Sequence, residues 1–301
     1  HARASLRSFV TDDHHISGHN PAALFSAAWS HINDIVGTAE FIQTASVSEA
    51  VAAAKQAEVA VVFLGLPADE ESEGYDRDHM NLPAAQLALL DAVLTANPNV
   101  VVVLSNGGAV ALPFRDRVPA IVEGWLLGQA GGGATADVLF GAVNPSGKLT
   151  ETIPLRLQDS PSYGNFPGEH GHVRYGEGLF VGYRWYDERE LDVAYPFGHG
   201  LSYTTFGYSD ASASLDEGGD ITVTLDVTNT GAVAGREVVQ LYTSLPGSSV
   251  QRPPRELKAF ASVDLQAGET RSVTLTVRAH DLAYWDVRVD RWVVEGGAYT
   301  V

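Results

Sequence analysis

Cysteine is absent from this chain of 301 residues, and methionine occurs once. Without cysteine the protein can form no disulfide, no thiolate nucleophile and no thiolate metal site, and the composition leaves both a secreted and a cytoplasmic location open. Long apolar runs are missing as well: those at 57–64 and 100–104 have only strand length, which is too short for a helix that crosses a membrane. The first seven residues lack the apolar region of a secretory signal peptide.

Basic residues are scarce, because 19 Lys and Arg stand against 37 Asp and Glu and give a formal net charge of −18. Nucleic acids and anionic membrane surfaces bind basic protein surfaces, so this charge argues against both as partners. A neutral sugar is compatible with it. The length suffices for two domains with cores of their own, and the hydrophobic fraction of 45% is ordinary for a globular protein.

An acidic run follows one of the apolar segments. Residues 59–65 are almost entirely apolar, which indicates a buried parallel strand, and residues 69–78 behind them hold several carboxylates and one arginine. Enzymes with open parallel sheets carry their chemistry on the loops at the carboxyl ends of the strands. A carboxylate on this loop can therefore serve as a proton donor. The alternative is a solvated acidic loop without a chemical role.

The pattern of residue types divides the chain into four segments. Residues 1–45 are uncertain, and their five histidines lack helix or strand phasing, which favours a surface loop or processing remnant over a metal site. Residues 46–155 alternate helix and buried-strand signals, which predicts an α/β/α sandwich with a mainly parallel sheet. Residues 156–207 are rich in Gly, Pro and aromatics and predict an ordered tether. Residues 208–301 alternate with period two and predict a β-sandwich.

A series of motifs runs through the chain from about residue 46 onward. In order they are E-S-E-G-Y-D-R at 71–77, N-L-P at 81–83, G-Q-A-G-G at 128–132, A-D-V-L-F-G at 136–141, N-P-S-G-K-L at 144–149, V-G-Y-R-W-Y-D at 181–187 and Y-P-F-G-H-G-L-S-Y at 195–203. The series resembles the C-terminal part of glycoside hydrolase family 3, the β-glucosidase family. The resemblance implies an α/β sandwich domain followed by a fibronectin type III-like domain.

The resemblance also implies which residues carry the chemistry. Family members are retaining glycosidases, which use one carboxyl group as nucleophile and a second as acid and then base. The position of Glu73 directly before Gly74 and four residues before Arg77 matches the acid/base glutamate, with Glu71 as the runner-up. Asp76 and Arg77 are expected to brace the loop as an ion pair. The substrate-binding residues are not identified, and no metal or cofactor is expected.

The expected function is that of the C-terminal portion of a retaining β-glycosidase, a β-glucosidase acting on terminal non-reducing β-D-glucosyl residues. The family places its nucleophile on a preceding (β/α)8 barrel of about 250 residues, which this chain has no room for. The chain also stops within what should be its last strand, so it is expected to be part of a longer protein. Expected partners are a β-linked oligosaccharide or glycoside and the N-terminal barrel, and assembly into a homo-oligomer is left open.

Several alternatives remain open at this point. The substrate could be a β-xyloside or an α-L-arabinofuranoside, because the family selects its sugar largely with barrel residues. The pair of domains could also be a non-catalytic module that binds carbohydrate or a protein partner. A nucleotide-binding domain is the weakest alternative, since the glycines at 131–133 lack the dinucleotide spacing and the P-loop lysine.

Overall fold

The computed structural model describes residues 45–301, with side chains from Val47 onward. The chain forms two compact units. The first contains the described residues up to Val143 together with Leu155–Leu157, and the second contains Asn144–Pro154 and Gln158–Val301. The histidine-rich segment singled out in the sequence lies outside the described residues, apart from its last position. The predicted segment boundaries at residues 45, 155 and 207 stay predictions.

The first unit is built around three parallel strands that lie side by side in chain order. One helix precedes the first strand, one connects the first strand to the second, and one follows the third. Its elements are α1 (Ala45–Gln56), β1 (Ala60–Gly65), α2 (Ala84–Ala96), β2 (Val100–Ser105), β3 (Ala120–Glu123) and α3 (Gly131–Leu139). Leu64, Val102 and Leu104 are at most 2% exposed, as expected for apolar strands covered on both faces. The prediction of an α/β domain with a parallel sheet is confirmed.

Side-chain amides connect α2 to this sheet and the residue after α2 to the end of α1. The Gln86 side chain on α2 accepts a hydrogen bond from the Gly65 backbone N–H and donates one to the Gly65 carbonyl, both at 2.9 Å. Asn97, directly after α2, donates to the carbonyl oxygens of Ala54 and Ala57 at the end of α1. These bonds satisfy backbone groups where β1 and α1 end. They hold the carboxyl end of β1, from which the acidic loop departs, in a defined place.

The second unit contains the antiparallel sheets that the period-two pattern predicts. Its elements are β4 (Ile153–Pro154), α4 (Tyr183–Glu188), β5 (Val193–Tyr195), β6 (Phe206–Leu215), β7 (Ile221–Asn229), β8 (Gly235–Thr243), β9 (Glu256–Leu265), β10 (Thr270–Val277), β11 (Tyr284–Asp286) and β12 (Arg291–Val293). Strands pair in the order β10-β7-β6, with β8-β9, β11-β12 and β4-β5 as two-stranded sheets. Alternate residues of β7, β8, β9 and β10 form one apolar core, including Val227, Leu241 and Leu275.

Residues 144–154 and 158–205 belong to the same unit as these sheets. Asn144 accepts hydrogen bonds from the Ser202 hydroxyl and the Tyr203 backbone N–H, and it donates one to the Ala234 carbonyl. The Lys148 ammonium lies 3.3 Å from the Glu237 carboxylate, and both side chains are largely buried. Polar groups of this kind need such partners to be buried at acceptable cost. The segment is therefore ordered against the strands by specific polar contacts.

Asn229, at the end of β7, is a buried polar residue whose side chain makes four hydrogen bonds. It is fully buried, accepts from the Thr204 hydroxyl at 2.6 Å and from the Gly231 N–H at 3.1 Å, and donates to the carbonyls of Val233 and Leu265. The side-chain amide of Asn229 thus connects Thr204 of the tether to the backbone just before β8 and at the end of β9. Few other side chains could satisfy all four of these groups.

Replacement of Asn229 by alanine is expected to lower the free energy of unfolding by about 2 to 4 kcal/mol, because several buried polar groups lose their partners at once. Urea denaturation of the complete protein, followed by tryptophan fluorescence, measures the change. Thr230→Ala is the matched control: its hydroxyl makes one exposed bond to Thr205, so its effect should stay below about 0.5 kcal/mol. Equal effects of the two substitutions would contradict the assigned role of Asn229.

Within residues 45–301, none of the helices combines the length and the apolar character that crossing a membrane requires.

Candidate active site at the carboxyl edge of the parallel sheet

The loop after β1 begins with a hydrogen-bonded turn. The backbone N–H groups of Glu70 and Glu71 donate to the Pro67 carbonyl at 2.9 and 3.0 Å, and the Tyr75 hydroxyl donates to the Ala68 carbonyl. Gly65 must be glycine, because a Cβ there would collide with the carbonyl oxygen of Ser105 on β2. The close approach of β1 and β2 therefore sets where the acidic loop starts.

Two side chains of this acidic loop bind the neighbouring loop after β2. The Glu71 carboxylate accepts a hydrogen bond from the Gly107 backbone N–H at 2.7 Å. The Arg77 guanidinium donates to the Ala109 carbonyl at 3.3 Å. Because β1 and β2 are parallel neighbours, the loops at their carboxyl ends meet at one edge of the sheet. The acidic loop is consequently attached to its neighbour at both of its ends.

Glu73 stands between these two attachments. Residues 72–76 are all exposed, and the Glu73 carboxylate has no hydrogen-bond partner among residues 45–301. Gly74 has φ +91°, a conformation that residues with a side chain rarely adopt. This glycine turns the chain directly after Glu73 and leaves the carboxyl group open to a ligand.

The expected ion pair between Asp76 and Arg77 is not formed within the described part of the chain. Asp76 is exposed, and the Arg77 guanidinium instead contacts the backbone of the loop after β2. The Arg77 side chain is partly buried, so a backbone carbonyl that is already in place gives it a partner without requiring a carboxylate to be desolvated. Arg77 thus attaches the loop to its neighbour, and Asp76 remains at the surface.

Two polar residues at this edge were not identified from the sequence. Asn106 is fully buried, and its amide donates to the Gly108 carbonyl at 2.9 Å and lies 3.5 Å from the Glu123 carboxylate at the end of β3. Glu123 also accepts from the Trp125 backbone N–H at 2.9 Å. Trp125 has φ +52°, which is strained for a bulky residue and is held in place by this bond. The sequence signal for Asn106 was its position shortly after the apolar run at 100–104, whereas Glu123 is the last residue of β3.

The site therefore offers the exposed Glu73 carboxyl group on a loop held at both ends. Such a group can donate a proton to a leaving oxygen and later accept one from water. A covalent glycosidase mechanism needs a second carboxylate about 5 to 5.5 Å away, and Glu71 is occupied by the Gly107 N–H. Among the described residues, no group of three His, Asp or Glu side chains has the arrangement of a metal site.

Comparison with known proteins places this geometry in context. The family model described as "Glycosyl hydrolase family 3 C-terminal domain" matches residues 10–203, and the model of a fibronectin type III-like domain matches residues 237–301.

Individual similar proteins extend these matches. The chain is 50% identical over 258 residues to "Thermostable beta-glucosidase B" of Acetivibrio thermocellus, which covers 85% of this chain and 34% of that protein. It is 49% identical over 255 residues to "Exo-alpha-(1->6)-L-arabinopyranosidase" of Bifidobacterium longum, with 84% and 34% covered. The crystal structure of a Bifidobacterium adolescentis GH3 beta-glucosidase matches with TM-score 0.82 and 49% identity, over 84% of this chain and 38% of that one. The chain thus spans about a third of the length of the curated relatives that it matches.

Proposed function

Since the chain belongs to glycoside hydrolase family 3, we propose that it is the C-terminal portion of a retaining β-glucosidase that hydrolyses terminal non-reducing β-D-glucosyl residues. The observation that carries the proposal is the exposed carboxyl group of Glu73 on a loop anchored at the carboxyl edge of the sheet. This is the place at which open parallel sheets present reacting groups. The proposal includes both the reaction and the role of this chain in it.

In this proposal Glu73 is the general acid and base. An acid catalyst must reach the glycosidic oxygen, and Glu73 is the glutamate of the E-S-E-G-Y-D-R motif that is exposed and makes no hydrogen bond to another described residue. Glu71, the runner-up, accepts the Gly107 N–H, so its carboxylate is already engaged by the neighbouring loop. These contacts support Glu73 over Glu71.

The nucleophile comes, in this proposal, from a (β/α)8 barrel outside the chain. A retaining mechanism forms a covalent glycosyl intermediate, so a second carboxylate must stand on the opposite side of the sugar. The chain covers about a third of its relatives, which leaves ample length for such a domain. The principal partners are therefore the barrel and a β-linked glycoside.

The choice of sugar is proposed to depend mainly on the barrel. Two relatives of nearly equal identity to this chain carry the names of a β-glucosidase and an α-L-arabinopyranosidase. The two relatives are equally similar to this chain but carry the names of different activities. This supports an acid/base loop that both share and a sugar pocket that differs between them. A β-xylosidase or an α-L-arabinofuranosidase is the second candidate for the same reason.

The complete enzyme is expected to show its highest kcat/KM with an aryl β-D-glucoside and to release the β-anomer of glucose first. Assays with the β-D-glucoside, β-D-xyloside, α-L-arabinofuranoside and α-L-arabinopyranoside, followed by proton NMR of the first product, test both points. Release of the α-anomer would contradict the retaining mechanism. A higher kcat/KM for another glycoside would contradict the glucoside assignment, and absence of hydrolysis of all four would favour a carbohydrate-binding module.

A further inference from the structure

The two attachments of the acidic loop enclose the proposed acid catalyst. Glu71 and Arg77 bind Gly107 and Ala109 on the loop after β2, and the residues between them are exposed. We propose that Glu71 is a positioning residue: by accepting the Gly107 N–H, its carboxylate sets the place of Glu73 relative to the glycosidic oxygen. This inference rests on the proposed function and assigns to Glu71 a role distinct from proton transfer.

The fit between Glu71 and Gly107 is unusually close. A Cβ added to Gly107 would lie 3.1 Å from the carboxyl carbon and Oε1 of Glu71 and 3.2 Å from Oε2, and these are its three nearest atoms. A methyl group at position 107 would therefore push the Glu71 carboxylate away from the N–H. By contrast, a Cβ at Gly108 would meet only the Arg77 guanidinium, at 3.4 Å, which is an ordinary van der Waals contact. The absence of a side chain at Gly107 thus leaves room for the Glu71 carboxylate beside the Gly107 N–H.

The segment between the attachments contains little else that could hold Glu73. Gly74 has a positive φ and no atom within 4 Å of the position of a Cβ, and Ser72 is exposed. The Tyr75 hydroxyl is bound to Ala68, within the same loop, and does not connect the segment to the loop after β2. The charge-assisted bond at Glu71, two residues before Glu73, is therefore the nearest link to the rest of the sheet edge. Misplacement of a catalytic group by about 1 Å can reduce a rate severely.

The test uses the complete enzyme and two substrates that differ in their need for an acid. Hydrolysis of cellobiose requires protonation of the leaving oxygen, whereas a dinitrophenyl β-D-glucoside does not. Glu71→Ala is expected to lower kcat/KM for cellobiose about tenfold and to leave kcat/KM for the dinitrophenyl substrate nearly unchanged. Glu71→Gln should retain most of the activity, because its amide oxygen can still accept the Gly107 N–H. Melting temperatures establish that the variants fold.

A double-mutant cycle isolates the contact itself. Gly107→Ala should reduce cellobiose hydrolysis by a similar factor in the wild-type background and should cost almost nothing in the Glu71→Ala background, because the added methyl group then has no carboxylate to displace. Gly108→Ala is the matched control in the same loop and is expected to be close to wild type in both backgrounds. This pattern of non-additivity would not arise from a general loss of stability.

Three results would overturn the inference. Full activity of Glu71→Ala on cellobiose, equal losses on both substrates, or additive effects of the Glu71 and Gly107 substitutions would each show that the contact does not position the acid. Formation of β-glucosyl azide by Glu71→Ala in the presence of azide would make Glu71 the acid/base itself. If Glu73→Ala also left kcat/KM for both substrates unchanged, the proposed function would fail. If Glu73→Ala lost cellobiose hydrolysis and Glu71→Ala did not, only the positioning role of Glu71 would be refuted.

Discussion

The 301-residue chain, purified alone, is expected to show no measurable hydrolysis of an aryl β-D-glucoside. The retaining mechanism requires a nucleophilic carboxylate on the opposite face of the sugar from the acid. At the sheet edge, Glu73 is exposed, but Glu71 is engaged by the Gly107 N–H, and Glu123 accepts the Trp125 N–H. The proposed barrel would supply both the nucleophile and most of the sugar pocket.

The measurement compares the chain with the complete enzyme at equal molar concentration on the same aryl β-D-glucoside. Circular dichroism and a cooperative melting transition establish that the isolated chain is folded, so that inactivity is not a consequence of unfolding. Hydrolysis by the chain alone at ordinary enzyme rates would mean that both carboxyl groups lie within residues 1–301. The division of the active site between this chain and a barrel would then be wrong.

Replacement of Glu73 by alanine in the complete enzyme is expected to slow hydrolysis of substrates with poor leaving groups by about two to four orders of magnitude, the usual contribution of general acid catalysis. An activated aryl leaving group departs without protonation, so kcat/KM for a dinitrophenyl β-D-glucoside should change little. The covalent intermediate then accumulates, because the base that activates water is missing. Steady-state kinetics with both substrates measures the difference.

Azide provides the control for this assignment. A small anion can enter the space left by the Glu73 carboxyl group and attack the intermediate without a base, which should restore turnover of the activated substrate and yield β-glucosyl azide. The Asp76→Ala variant is the matched control, since Asp76 is also an exposed acid of the same loop, and its activity should stay near that of the wild type. Azide rescue of Glu71→Ala instead of Glu73→Ala would move the acid/base assignment by two residues.

The elements of the fold could be predicted because they depend on local patterns. The apolar runs of β1 and β2 are strand-length and lack alternation, which is the signature of strands covered on both faces. The alternation in β7 and β10 places every second residue in the core of the second unit. The position of the acidic run directly after β1 also follows from order along the chain.

The contacts of the candidate site could not be predicted in the same way. Glu71 and Gly107 are 36 residues apart in the sequence. Only the pairing of β1 with β2 brings the Glu71 carboxylate oxygen within 2.7 Å of the Gly107 backbone nitrogen. From the sequence, Arg77 was expected to pair with its neighbour Asp76, whereas the folded chain offers it the Ala109 carbonyl. Asn106 and Glu123 meet because β2 and β3 end side by side.

Residue type and spacing, which are local properties, indicated the family, the type of each unit and the loop that is proposed to carry the acid. Long-range contacts in the folded chain leave Glu73 exposed and bind Glu71 to the next loop. A carboxylate of this loop is bound where the register of the parallel strands places a backbone N–H beside it, and it stays exposed where the register places none. That register is a property of strand pairing across the sheet and has no counterpart in the spacing of residues along the acidic loop.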